Sequence, residues 1–398
     1  MSREKRKELL KKLESKRGTK VIAYVTSDRQ GLQASIQHDI VSIVHEHILS
    51  LPDKKRGKID LFIYSRGGSA DVPWALVSMF REYCQKGSFS VLIPFRAHSA
   101  ATVISLGADE IIMTKKGELG PIDATMSGGP YNPREGGSSN SLPVSVEDVT
   151  GYFALLDRFG CERPDEKMRG FQQLTEKVHP LALGAVSRLL EETKLVGLRL
   201  LSTRAKPFKE EENHEIIRKL SSEVYSHNHA ISRTEARKHL GLKQVKNSED
   251  AAIDSELWEL YTEYRSLFDL ENPFQPEAHL IANNLEEHAW NGLNLASVES
   301  VNRLDICKRS QRVRRLRNVP PTVNLNVSDI HFPGVNFGPV PAGVTPEQVN
   351  AMVKQAVQGI MQPILNHAVQ QAVDVMIKSL PQKGFEIVAY NAGWTTES

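Results

Sequence analysis

The sequence predicts an α/β fold built on a mainly parallel sheet. Short β-rich runs alternate with segments of helical period through residues 20–123. Two strand–turn–helix units follow one another in residues 59–107, each turning on small residues. The apolar and charged shares, 40% and 25% of 398 residues, are those of an ordinary globular chain long enough for two to three domains.

Residues 2–17, SREKRKELLKKLESKR, predict a charged helix whose apolar positions are Leu9, Leu10 and Leu13. Such a helix can lie at a membrane surface, but it fits better as a solvated helix lying on the domain or on a partner subunit. KVIAYVT, 20–26, is the first strand. Residues 35–49 follow as an amphipathic helix, with Ile36, Ile40, Val44 and Ile48 at four-residue spacing. Leu61-Phe62-Ile63-Tyr64 is a buried strand that stops at Ser65-Arg66-Gly67-Gly68. The paired glycines there permit positive φ and close approach of a ligand. A helix carrying Trp74, Val77, Met79 and Phe80 comes next, then the strand Val91-Leu92-Ile93-Pro94. Ala97-His98-Ser99-Ala100-Ala101 is a tight turn, 102–107 a helix and 110–113 another strand.

Residues 126–142, MSGGPYNPREGGSSNSL, read as a flexible loop of the kind that borders binding sites. Ser145 is placed to cap a helix, with Asp148 three residues on. Helices are expected over 181–202, 234–240 and 250–267, followed by the break Asn272-Pro273-Phe274-Gln275-Pro276. The basic run KRSQRVRRLR, 308–317, raises a nucleic-acid patch, but a net charge of +2 favours a solvated edge. Five prolines and three glycines mark 318–344. Residues 345–380 carry the strongest local helix signals: Thr345 as N-cap, Pro346 at N1, Gln348 closing a capping box, and an apolar stripe from Val349 to Ala368. Gly359 and Pro363 should bend it, and 385–390 ends the chain as a strand. The expected organisation is a domain over 1–245, a helical extension over 246–317, a Pro/Gly-rich linker over 318–344, and a C-terminal helix and tail over 345–398.

Composition narrows the chemistry. Three cysteines without a CxxC pair argue against a disulfide framework and a thiolate zinc site, and suit a reducing cytoplasm. No apolar run approaches the ~20 residues of a membrane span, and no apolar stretch of a signal peptide follows the basic start. His214, His227, His229 and His239 lack HExxH spacing, so neither a metal nor a cofactor is expected. Ser99 sits at a helix start just beyond a strand end, where free N–H groups and the positive dipole end converge. Faced by Gly67-Gly68, it has the parts of an acyl-transfer site: Ser99 Oγ as nucleophile, and the N–H groups of Gly68 and Ala100 as oxyanion donors. The plainer alternative is a serine that merely caps a helix.

The series SRGG, HSAATVISLGADEII and GELGPID resembles the Clp protease/crotonase superfamily. It is more closely similar to signal peptide peptidase A and the serine dehydrogenase proteinase family. The resemblance runs over roughly residues 18–245, taking in LTEKVHPLALG and SHNHAISRTEARKHLGL. It implies a Clp/crotonase-like core with an accessory, mostly helical C-terminal region. It implies Ser99 as nucleophile and an oxyanion hole at Gly67, Gly68 and Ala100. GELGPID holds no histidine, where Clp-type enzymes carry their base. Signal peptide peptidase A uses a downstream lysine instead, which points to Lys177, with Lys167 second. The serine dehydrogenase proteinases are thought to order Ser, Asp and His, which points to Asp123 and His179. With no apolar run long enough for a membrane tether, the sequence departs from signal peptide peptidase A, which is membrane-tethered. A cytoplasmic serine peptidase acting on peptides or proteins is expected, working as a homo-oligomer, with a further protein partner for the C-terminal segment and no nucleic acid. The alternatives are an inactive scaffold of the same fold that binds proteins, and an acyl-CoA enzyme, for which no adenine-binding signal is visible.

The stripe in 345–380 would be an exposed apolar patch on a monomer, which soluble chains avoid. Truncation after Asn318 is therefore expected to lower the mass seen by light scattering. An unchanged mass speaks against assembly through this segment.

Overall fold

Four apolar runs and one short polar strand lie side by side as the parallel part of one sheet: β1 (Lys20–Thr26), β2 (Ile59–Tyr64), β3 (Phe89–Ile93) and β4 (Glu110–Met113), then β5 (Val245–Asn247). Three longer strands, β6 (Glu287–Glu299), β7 (Leu304–Arg317) and β8 (Gln382–Glu397), complete the order β5-β4-β3-β2-β1-β6-β7-β8. β1 meets β6 antiparallel, Ala23 opposite Glu299. The computed structural model describes residues 3–51, 57–84, 88–123, 125–126, 129–134, 141–161, 163–223 and 229–318, scattered positions between 345 and 373, and 375–397.

β1 to β4 are apolar almost without alternation because both faces of the sheet are covered. On one face Ile22, Tyr24, Leu61, Ile63, Val91, Ile93, Ile111 and Met113 join side chains of α2 (Ile40–Leu49), α3 (Val72–Tyr83) and α4 (Ala100–Leu106). On the other, Val21, Ala23, Val25, Phe62, Leu92 and Ile112 pack with α1 (Arg3–Arg17) and a later helix over 254–267. Leu9, Leu10 and Leu13 are buried there, so α1 lies on its own domain. Arg6 Nε donates to Glu299 Oε2 at 2.6 Å and fixes the helix to β6.

Further along come α5 (Val146–Arg158), α6 (Pro164–Lys177), α7 (Pro180–Ser202), α8 (Glu210–Arg218), α9 (Arg233–Lys238) and α10 (Asp254–Leu267). Ser145 caps α5 as its spacing predicts, Oγ accepting from Asp148 N at 3.0 Å. Two compact units emerge. The first holds 1–274, 292–309 and 391–398, and the second 275–291 and 310–390, so β6, β7 and β8 each have residues in both.

The segment expected to be a helical extension, 246–317, holds α10 and α11 (Pro276–Ala282) and then β6 and β7. The basic run is part of β7. Along Gln311, Arg312, Val313 and Arg314 burial alternates, which places Arg312 and Arg314 on one side at a period of two. Acidic partners neutralise much of the run. In the second unit Arg314 meets Glu386 at 2.7 Å and Arg317 meets Glu286, while in the first Lys308 meets Glu397. The terminal strand expected at 385–390 is longer, reaching Glu397. Most of the expected helix over 345–380, including Pro346 and Gln348, lies outside the described residues; the described positions from 366 to 379 are helical.

His47 at the end of α2 is fully buried, Nδ1 2.9 Å from Ser300 Oγ and Nε2 2.9 Å from Asp305 Oδ2. Burial pushes its imidazole down to about 4, against the pull of Asp305. In the unfolded chain a histidine titrates near ~6.5. As pH falls from there the unfolded state takes up the proton first, so stability drops, by up to ~3 kcal/mol at the lower end. Urea midpoints measured from pH 7 to 4 should fall through this window, and His47→Gln should flatten that part of the curve.

Candidate active site

β2 ends at Tyr64, and the next residue joins the two turns that follow β2 and β3. Ser65 N donates to Arg96 O at 3.0 Å, and His98 N donates to Ser65 O at 3.0 Å. The Ser65 hydroxyl, almost wholly buried, accepts from Thr26 Oγ1 at 2.9 Å and from Gly67 N at 3.1 Å. Ser65 therefore fixes the glycine turn with its side chain and the serine turn with its backbone.

The glycines are required by space. Gly67 has φ 109°, and a Cβ there would lie 2.6 Å from Ser99 Cβ. Ile36 N donates to Gly67 O at 2.8 Å and Ser69 N donates to Ile36 O at 2.9 Å, so this stretch is tied to the segment before α2. A Cβ on Gly68 would stand 2.1 Å from Ile36 O. With Gly67 and Ser69 turned toward Ile36 and Ser65, the N–H of Gly68 has no partner among the described residues, and neither has that of Ala100 at the head of α4.

Ser99 precedes α4 with φ 49° and ψ −117°. A residue other than glycine in such a region carries ~1–3 kcal/mol of strain and persists only where its surroundings hold it. Its hydroxyl makes no capping bond to the helix. The capping role that sequence alone allows is thus not the one this side chain performs. Oγ would lie 3.1 Å from a Cβ placed on Gly67, which measures how closely the two turns approach.

Both turns open into a cleft of about 670 Å³. Gly67, Gly68, Ser99, Ala100 and Asp123 all line it, as do Met126 and, from α7, Leu189 and Thr193. Asp123, mostly buried, follows β4 and so reaches the same carboxyl-end edge of the sheet as the two turns. Met126 is held by Asn132, whose Nδ2 donates to Met126 O at 2.8 Å and to Leu142 O at 2.9 Å, and by pairing of Met126 with Val144. Arg66 at the rim is ion-paired with Asp28, which also accepts from Arg96 Nη1 at 2.6 Å and from Tyr64 OH at 2.9 Å.

The remaining sequence candidates are not among the residues that line the cleft. Lys177 ends α6, exposed, and does not line the cleft. Nor does His179, which caps α7. Its Nδ1 accepts from Leu181 N at 3.1 Å and its ring stacks on Tyr131, centroids 4.8 Å apart. His179 precedes Leu189 by ten positions of α7 (189 − 179), about 15 Å along the axis at ~1.5 Å per residue. Lys167 is engaged with Asp157 at 2.7 Å. His229 pairs with Glu235 at 2.8 Å, and no group of three or more potential metal ligands forms among the described residues. His98 turns to Glu118, 3.1 Å from Nε2 to Oε1. Sequence reading passed over Ser65, Thr26 and Glu118, whose partners are 39 and 20 positions distant (65 − 26 and 118 − 98).

Gly68→Ala forces a methyl group into the Ile36 carbonyl. It should destabilise the protein by ~1–3 kcal/mol in urea unfolding, the usual cost of overpacking, where Ala70→Gly on the same rim should have a smaller effect.

Among known proteins, residues 1–133 match the family described as ClpP-like SDH-type serine proteinase. An uncharacterized protein of Methanocaldococcus jannaschii is 28% identical over 186 residues, which is 41% of this chain and 62% of that protein, so the chain spans less than two thirds of the relative's length. Of solved structures, a mutant of a membrane-bound stomatin-specific protease is similar at 15% identity over 55% of this chain and 77% of its own, with a TM-score of 0.30. A mutant of ClpP1 from Listeria monocytogenes is similar at 12% identity over 61% and 98%, with a TM-score of 0.31. No helix among the described residues is long and apolar enough to cross a membrane. The matched residues, 1–133, hold both turns of the cleft, so the likeness to the ClpP-like SDH-type serine proteinases covers the candidate site.

Proposed function

We propose that the protein is a serine peptidase that cleaves peptide bonds through an acyl-enzyme on Ser99. One observation carries the reading. Ser99 is strained out of the ordinary capping conformation, with an uncommitted hydroxyl, opposite two glycines that admit no side chain. Ser99 Oγ attacks the scissile carbonyl. The oxyanion is received by the N–H groups of Gly68 and Ala100, the donors that remain after Ser65 has engaged Gly67. A base takes the hydroxyl proton and returns it to the leaving amine, and water then releases the acyl group. Asp123 is the carboxylate at hand to orient the base.

The base is proposed to be Lys177 or His179, delivered by movement of the α6–α7 junction when substrate enters. α7 already forms part of the cleft wall. A homo-oligomer is proposed as the working form, on the support of Phe159, Met168 and Phe171, which leave apolar surface exposed on and after α5 and α6. The second reading, a scaffold of this fold that binds proteins without cleaving them, is favoured by one feature: neither base candidate lines the cleft in this arrangement.

A fluorophosphonate should label Ser99, and Ser99→Ala should remove both labelling and peptide hydrolysis, the latter by ~10³-fold or more, with the unfolding midpoint kept. Full hydrolysis by Ser99→Ala would end the assignment. Lys177→Met and His179→Ala, measured side by side, separate a Ser–Lys dyad from a Ser–Asp–His arrangement: the true base is as costly to lose as Ser99, the other nearly silent. Activity that survives both changes rejects both schemes.

A further inference from the structure

His98 stands next to the proposed nucleophile and takes no part in that chemistry, yet it is held on every side. Its N–H donates to Ser65 O at 3.0 Å and its carbonyl accepts from Ala101 N at 2.9 Å. Its ring, largely buried, faces Glu118 with Nε2 3.1 Å from Oε1. On another side Gly120 packs so closely that a Cβ there would fall 2.9 Å from both Cβ and Cγ of His98.

The partner is itself immobilised. Arg96 pairs with Glu118 and Ala97 with Leu119 in a short parallel ladder. Arg96 Nε donates to Glu118 Oε1 at 3.1 Å, and Arg96 in turn is anchored on Asp28. Thr102 Oγ1, fully buried, donates to Ala97 O at 2.7 Å and accepts from Gly120 N at 3.0 Å. Burial pushes the Glu118 carboxyl up, but His98 and Arg96 outweigh it and hold the group below the usual carboxylate range, so it is ionised at neutral pH.

This clamp opposes a competing state. Serine is among the best helix N-caps, and a relaxed Ser99 would turn its hydroxyl onto the free N–H groups of α4. In the structure that bond is absent and the backbone is strained instead. We propose that His98, held by Glu118, is a positioning residue that keeps the Ser99 turn in its reactive conformation and out of the capping one. The proposal rests on Ser99 being the nucleophile.

The test follows inactivation of the full-length protein by a fluorophosphonate, with intact-mass detection and thermal midpoints for every variant. His98→Leu keeps bulk and loses the nitrogen; His98→Gln restores an N–H toward Glu118. In His98→Leu kinact should fall about tenfold with KI within about twofold, since the reactive population shifts while the cleft does not. His98→Gln should recover to within about threefold, and Glu118→Gln should lie between them. Equal kinact in all folded variants overturns the proposal. So does a loss in Leu and Gln variants alike that tracks their thermal midpoints, which marks the residue as packing only. Absence of a Ser99 adduct on the unaltered protein overturns the nucleophile reading, and this proposal with it.

Discussion

The hydrogen bonds of Ser65 are the constraint on which the rest of the site depends. One residue, two hydrogen bonds from its backbone and two at its hydroxyl tie together β1, the glycine turn and the serine turn. Buried hydroxyls must find partners, and an unsatisfied one is costly. Here the need of Ser65 is met by the groups whose placement the cleft requires, so stability and orientation are the same requirement. Gly67 loses its N–H to Ser65 and its carbonyl to Ile36. Among the described residues, the N–H of Gly68 is left without a partner.

The sheet explains why such a turn can be held. β1 to β4 are buried on both faces, and their carboxyl ends deliver three chain segments to one edge: the glycine turn after β2, the serine turn after β3 and Asp123 after β4. Adjacent parallel strands put the glycine and serine turns about one strand spacing apart, ~5 Å. α1 closes the second face, and its charged surface hides how completely Leu9, Leu10 and Leu13 are committed to the core.

Much of this was legible in the sequence. Apolar runs ending in small residues gave the first four strands and both turns, because the period and composition of a doubly covered strand are local properties. The resemblance to the serine dehydrogenase proteinases led to the same family that residues 1–133 match. What was not legible depends on long-range pairing. β7 reads as a basic stretch since arginines dominate it, and only its alternation of burial reveals a strand. Lys177 and His179 are paired with Ser99 in expectation because a resemblance orders them along the chain; neither lines the cleft, whose wall takes Leu189 and Thr193 from α7, the helix that His179 caps. Glu118 was passed over in a stretch searched for histidine, and its meaning comes from a two-residue ladder too short to leave a pattern.

The amide of Asn132 has a consequence for how this fold can vary. By holding Met126 O and Leu142 O together it closes the neck of the segment between them, and the Met126–Val144 pairing repeats the closure. Once the ends are fastened, the entropy of a loop grows only with the logarithm of its length, ~0.6 kcal/mol per doubling. Chain inserted between the fastened ends would leave Met126 where it lines the cleft. Sequence can therefore be gained or lost between these ends without rebuilding the part of the cleft wall that Met126 forms.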